Sequence, residues 1–233
     1  MTPLAPLASL TLLPGVYRPA ADTRLLADAL AAEAIAPGCA VLDIGTGSGV
    51  LALLAARRGA AVTAVDVSRQ AVRTARMNAR RNRLPLLVEH ADAADCAPGR
   101  RFDLVLSNPP YVPAPRARGA GKAMAWDAGP DGRAVIDQLC RRAAAWLRPG
   151  GALLLVHSAL CGPATTVALL KDHGLSARVV RRADIPWGPV LSARRTWLAR
   201  QGLADAHATR ERLVVIRAEP AYPPDGRRAG GPR

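Results

Sequence analysis

Short apolar runs alternate with stretches of helical period along most of this chain. Cys39 to Ile44 is a continuous apolar run broken only by Asp43, and it reads as a buried strand. It passes into GTGSG and then a helical pattern from Val50 to Arg58. Ala61 to Val65 is a second strand ending at Asp66. Ser68 to Arg81 follows as a helix, with Ser68 as N-cap and Val72, Ala75 and Ala79 on its inner face. Leu86 to Glu89 and Phe102 to Leu106 are further strands, the first running into His90-Ala91-Asp92 and the second into Ser107-Asn108-Pro109-Pro110-Tyr111. Residues 112 to 131 are rich in Pro and Gly and carry no period. A helix from Val135 to Leu147 stops at Arg148-Pro149-Gly150-Gly151, and a strand from Ala152 to His157 follows. The closing part is less regular: a helix near 164–171, a strand near 177–181, a helical or loop segment at 191–201 and a strand at 213–217.

Continuous apolar strands alternating with helices predict an α/β fold. The expected form is Rossmann-like and doubly wound, with a mostly parallel seven-stranded sheet and helices on both faces. One domain over residues 15–218 is expected, after a lead-in segment at 1–14 and before a disordered basic tail at 219–233. In such sheets ligands bind beyond the carboxyl ends of the strands.

The chemistry sits at those ends. Asp43 lies two residues before Gly45-x-Gly47-x-Gly49. Glycines let backbone turn sharply and approach a ligand closely. The spacing is not the dinucleotide GxGxxG, since Val50 stands where its last Gly would be, and no phosphate-loop Lys follows. An acid before the turn opposes a pyrophosphate and suits a cationic ligand. Asp66 ends the second strand, where a carboxylate can accept two ribose hydroxyls. Asp92, with Ala93, follows the third. A ribose-bearing ligand with sulfonium and ammonium groups, S-adenosylmethionine (SAM), fits this set. Asn108-Pro109-Pro110-Tyr111 then offers two acceptors side by side, the Asn108 side-chain oxygen and the Pro109 carbonyl, matched to a planar NH2. The prolines stiffen the turn and Tyr111 can stack on a flat group. Orientation aims the nitrogen lone pair at a methyl group, so positioning supplies most of the catalysis.

These motifs resemble the class I SAM-dependent methyltransferases of the NPPY type, and more closely the short-form HemK-like protein-glutamine methyltransferases. The resemblance covers roughly residues 15 to 217. It is also carried by Val16-Tyr17-Arg18-Pro19-Ala20-Ala21-Asp22-Thr23 and by Ala125-Trp126-Asp127-Ala128-Gly129-Pro130-Asp131-Gly132-Arg133. It implies that Thr23 touches the methionine end of SAM, and that Asp43 and Gly45 contact the ligand at the turn. It further implies Asp66 at the ribose, Asp92 and Ala93 beside the adenine, and Asn108 on the substrate NH2. The implied product is an N5-methylated glutamine in a translation release factor. Arg18 and Ala21 replace two acids of the family's pattern. The family's longer members carry a helical N-terminal domain for which there is no room before residue 15, so recognition is expected from loops of the catalytic domain or from a partner. Some short-form relatives use a small activating subunit. A flat NH2 is equally offered by adenine N6 or guanine N2, so a nucleic-acid amino-methyltransferase stays open, as does a non-catalytic SAM- or RNA-binding module.

Composition changes this picture little. The chain has 233 residues and a formal net charge of +14, and only two of its 32 basic residues are lysines, Lys122 and Lys171. Such a charge suits an anionic partner, nucleic acid or a membrane surface, or else reflects a composition bias toward arginine, a reading that the three asparagines of the whole chain support. Arg69, Arg73, Arg76 and Arg80 form one stripe on the helix after the second strand, read as a solvated face in preference to a nucleic-acid surface because no aromatics interleave. Arg116, Arg118 and Lys122 stand in the long loop that is the expected substrate lid. Cys39, Cys96, Cys140 and Cys161 are far apart, and His90, His157, His173 and His207 are dispersed, so no metal site is expected. No apolar run is long enough for a membrane span, and a cytoplasmic protein with reduced thiols is expected.

Overall fold

The computed structural model describes residues 10–93, 95–115, 123 and 125–221. Seven strands form one sheet: β1 (Ala40–Ile44), β2 (Ala61–Asp66), β3 (Leu86–His90), β4 (Phe102–Ser107), β5 (Leu147–Ser158), β6 (Leu175–Pro186) and β7 (Arg210–Pro220). Their order is β3-β2-β1-β4-β5-β7-β6. The first five run parallel, and β7 lies antiparallel between β5 and β6. Successive strand residues point to opposite faces, yet Val41 to Ile44 are all buried, as are Val62 to Val65. Both faces are therefore covered, which is why these strands read as unbroken apolar runs.

The helices are α1 (Ala21–Ala32), α2 (Val50–Arg57), α3 (Arg69–Asn82), α4 (Ala134–Trp146), α5 (Pro163–Asp172), α6 (Pro189–Ala193) and α7 (Arg195–Arg200). α1, α2 and α3 adjoin in sequence, while α4 packs on α5. Ser68 caps α3 as its sequence predicts, its Oγ accepting from the Ala71 amide at 3.3 Å.

One helix was not expected, and three expectations need correction. Helix α1 carries no sequence assignment above, although Leu25, Leu26, Ala29 and Leu30 are its buried face. β5 starts at Leu147 rather than Ala152, because a register shift opposite Phe102 and Leu104 absorbs Pro149, Gly150 and Gly151. β6 runs from Leu175 to Pro186. It is an edge strand with exposed Arg178, Arg181 and Arg182, so only its middle looks apolar. β7 extends to Pro220, so residues 219 and 220 belong to the sheet and not to a tail; the rest of the expected tail, 222–233, lies outside the described residues, as does the lead-in at 1–9.

The chain leaves β1 toward β2 and β3, then returns to β4 on the other side of β1. That reversal opens a crevice beyond the carboxyl ends of β1 and β4. The two strand ends are tied there, with Ser107 Oγ donating to the Ile44 carbonyl at 2.9 Å.

Candidate functional site

A cavity of about 560 Å³ occupies the crevice. That size suits a drug-sized ligand. Gly45, Gly47, Asp66, Asp92 and Ala93 line it, as do Thr23, Asn108, Pro109, Pro110 and Tyr111. All of these are residues singled out from sequence. Among the described residues, four carboxylates, Asp22, Asp66, Asp92 and Asp127, face it against one guanidinium, Arg69. The described lining is thus acidic within a strongly basic chain.

The glycine turn is held from below. Asp43 is buried and accepts from Thr46 Oγ1 at 2.6 Å, while its Oδ1 has no partner among the described residues. Burial pushes its carboxyl up to about 6. Asp43 does not line the cavity, and neither does Gly49. Gly49 starts α2 at φ 82°, and a Cβ there would stand 3.1 Å from the Cβ of Ala75 in α3. Both residues support the turn. Gly45 and Gly47, also at positive φ, keep the floor open. Asp66 reaches across from β2: its Oδ2 accepts from the Gly47 amide at 2.9 Å and its Oδ1 from the Ser68 amide at 2.8 Å. Burial raises its carboxyl and these two amides pull it back. One lone pair on each oxygen stays available for ligand hydroxyls.

Asn108, just after β4, meets Thr23 near the start of α1. Asn108 Nδ2 donates to Thr23 Oγ1 at 3.2 Å, which leaves Oδ1, an acceptor only, for another partner. Buried Asp22 accepts from the Tyr17 hydroxyl at 2.9 Å and the Tyr111 hydroxyl at 3.0 Å. Sequence reading named Tyr17, Thr23 and Tyr111 but missed Asp22 as their common acceptor. Val112 pairs with Asp127 in an isolated bridge, so the loop after Tyr111 folds back on the Trp126–Asp127 segment. Arg194, between α6 and α7, fixes both sides of that loop: its Nη1 donates to the Pro113 carbonyl at 2.9 Å and to Asp127 Oδ1 at 2.6 Å. Nothing in the sequence around Arg194 signals this role. Arg116, Arg118 and Lys122, the lid's cations, lie outside the described residues. The α3 arginines are exposed, as a solvated stripe would be, and Arg76 also donates to the Val88 carbonyl.

Among the described residues no group of His, Cys, Asp and Glu is placed to hold a metal ion, and no helix is long and apolar enough to cross a membrane.

Residues 10–184 match the methyltransferase small domain family. A putative protein N5-glutamine methyltransferase of Methanocaldococcus jannaschii is 32% identical over 181 residues, 76% of this chain and 90% of that protein. A release factor glutamine methyltransferase of Mycolicibacterium smegmatis is 35% identical over 185 residues, 76% of this chain and 66% of that one. The chain spans 52% of the corresponding Deinococcus radiodurans protein, at 40% identity. Among solved structures, the E. cuniculi Mtq2–Trm112 complex, responsible for methylating the termination factor eRF1, aligns with TM-score 0.60 and 24% identity over 89% of this chain and 99% of that one. The T. thermophilus 16S rRNA N2 G1207 methyltransferase with AdoMet and guanosine aligns with TM-score 0.61 and 25% identity, over 90% of this chain and 46% of that one.

Proposed function

The chain belongs to the methyltransferase small domain family, and from that premise we propose that it methylates the side-chain amide of a glutamine in a translation release factor, with SAM as methyl donor. The observation that carries the reading is the Asn108 amide. Its nitrogen is committed to Thr23, so its oxygen, beside the Pro109 carbonyl, is left to accept from a planar NH2. SAM supplies an electrophilic methyl group on a sulfonium centre. The residues present fit it: an acidic cavity of suitable size, the Asp66 oxygens for ribose hydroxyls, Asp92 and Ala93 beside the base, and a floor of glycines. Asn108 and Pro109 then orient the acceptor nitrogen, and Tyr111 walls the flat amide. The protein glutamine is preferred over a nucleobase because relatives covering most of this chain carry that name. A cytoplasmic setting follows from such a substrate. The E. cuniculi structure pairs its methyltransferase with Trm112, which supports a small activating subunit for this chain too.

The test incubates the protein with methyl-labelled SAM, a release factor, and bulk RNA and DNA. Label is expected in the release factor; label confined to nucleic acid would overturn the substrate. Asp66→Ala is expected to abolish SAM binding in calorimetry, and Asn108→Ala to preserve binding while removing methyl transfer.

A further inference from the structure

We infer that Asp22 is a positioning residue whose carboxylate sets the direction of the hydrogen-bond chain Asp22–Thr23–Asn108, and with it the atom that Asn108 presents to the acceptor amide. This rests on Asn108 being the group that holds that amide. Asp22 is 4% exposed and lies at the start of α1. Its Oδ2 accepts from two phenols, Tyr17 and Tyr111, and its Oδ1 from the Thr23 amide at 2.5 Å and the Thr23 hydroxyl at 3.2 Å. Burial, and then the Asp22 charge, push both phenols well above their ordinary range, so both remain protonated donors.

A carboxylate only accepts. The Thr23 hydroxyl has one proton and gives it to Asp22, so toward Asn108 it can only accept. Asn108 must therefore turn its NH2 to Thr23 and its oxygen away. Reverse the first link and the last link reverses with it: a Thr23 hydroxyl free to donate would draw in the Asn108 oxygen and present NH2 to a substrate NH2. Two donors would then face each other, and the acceptor site would be lost with no change of fold. The same carboxylate ties Tyr17, on the segment before α1, to Tyr111, so the cavity wall and the amide's direction are set by one group.

The test uses the full chain and three variants, Asp22→Asn, Thr23→Val and Thr23→Ser. The side-chain amide resonances of Asn108, assigned by their loss in Asn108→Ala, report the chain without any substrate. Their solvent exchange is expected to quicken about tenfold or more in Asp22→Asn and Thr23→Val, and to stay slow in Thr23→Ser. With the acceptor that takes label, kcat is expected to fall about 100-fold in the first two, while in Asp22→Asn the KM for SAM moves by less than about threefold. Thr23→Ser, which keeps the hydroxyl, is expected to retain most of the rate. Unchanged kcat in a folded Asp22→Asn protein, or a loss confined to SAM affinity, would overturn the inference. If Asp22→Asn does not fold, the valine and serine pair decides: full activity in Thr23→Val overturns it. Retained activity in Asn108→Ala would instead sink the reading of Asn108, a result separable from all of these.

Discussion

Two buried side chains, Asp43 and His157, set opposing pH dependences on the fold. Burial raises the Asp43 carboxyl from 3.8 to about 6, so the folded state holds a proton that the unfolded chain releases. Stability from this group is full below about pH 4 and is lost as pH climbs through about 6. Burial lowers His157 from 6.5 to about 4, so the unfolded chain holds the extra proton and stability rises over that window. Each contribution amounts to about 3 kcal/mol. Asp66 and Glu211, also raised by burial, add to the fall. Urea midpoints from pH 4 to 7 should therefore fall more steeply for His157→Gln than for wild type and flatten for Asp43→Asn; one common profile would refute the assignment. Gly132 is a steric counterpart. At φ 72°, a Cβ there would overlap the Tyr111 carbonyl oxygen and stand 2.8 Å from Cys161 Sγ. Gly132→Ala is expected to cost about 3 kcal/mol in denaturant unfolding and to displace Tyr111, with loss of activity. Much at this scale was legible. Asp66 closes β2 and Asn108 stands immediately after β4, where ligand groups are expected in such a sheet. Asp22 was not, because its partner Tyr111 is 89 residues away and only the fold joins them.

The elements follow the same division. β1, β2 and β4 were readable because burial on both faces leaves no polar alternation to confuse with a helix. α1 went unread because its sequence, ADTRLLADALAA, follows a proline-rich lead that masks its period. α6 and α7 blurred into one ambiguous segment, since neither is long enough to show two turns of pattern. These two helices sit in the connection between β6 and β7 and make a second small core, Trp187, Leu191 and Leu198, against which Val112 packs. Arg194 connects that core to the loop after Tyr111. The half-buried pair with Asp127 is sensitive to removal of one partner, because the carboxylate is then left without its cation. Arg194→Ala is expected to lower stability by about 3 kcal/mol and to raise the KM for the protein substrate more than it lowers kcat. An unchanged KM would detach this connection from substrate handling.

At the scale of the whole molecule, charge separates by location. The described cavity lining is acidic, and Arg73, Arg76 and Arg80 of α3 are exposed outside it. Polyanions should bind outside, steeply weakened by salt and without receiving methyl groups. Each phosphate-contacting arginine removed should reduce the log–log salt slope on single-stranded RNA by about 0.7. The variant Arg73→Gln/Arg80→Gln is expected to show that reduction on RNA while release-factor methylation holds; a parallel loss of methylation would mean the stripe serves the substrate. β7 brings a different consequence, one of timing. It fills the space between β5 and β6, which do not pair with each other. On a ribosome both neighbours emerge before it, so the sheet stays split until Arg210 to Pro220 has been made. A nascent chain halted near residue 205 would carry β5 with a bare apolar edge, open to any other extended segment. Completion of the last strand is therefore the event that commits this polypeptide to a single, closed tertiary state.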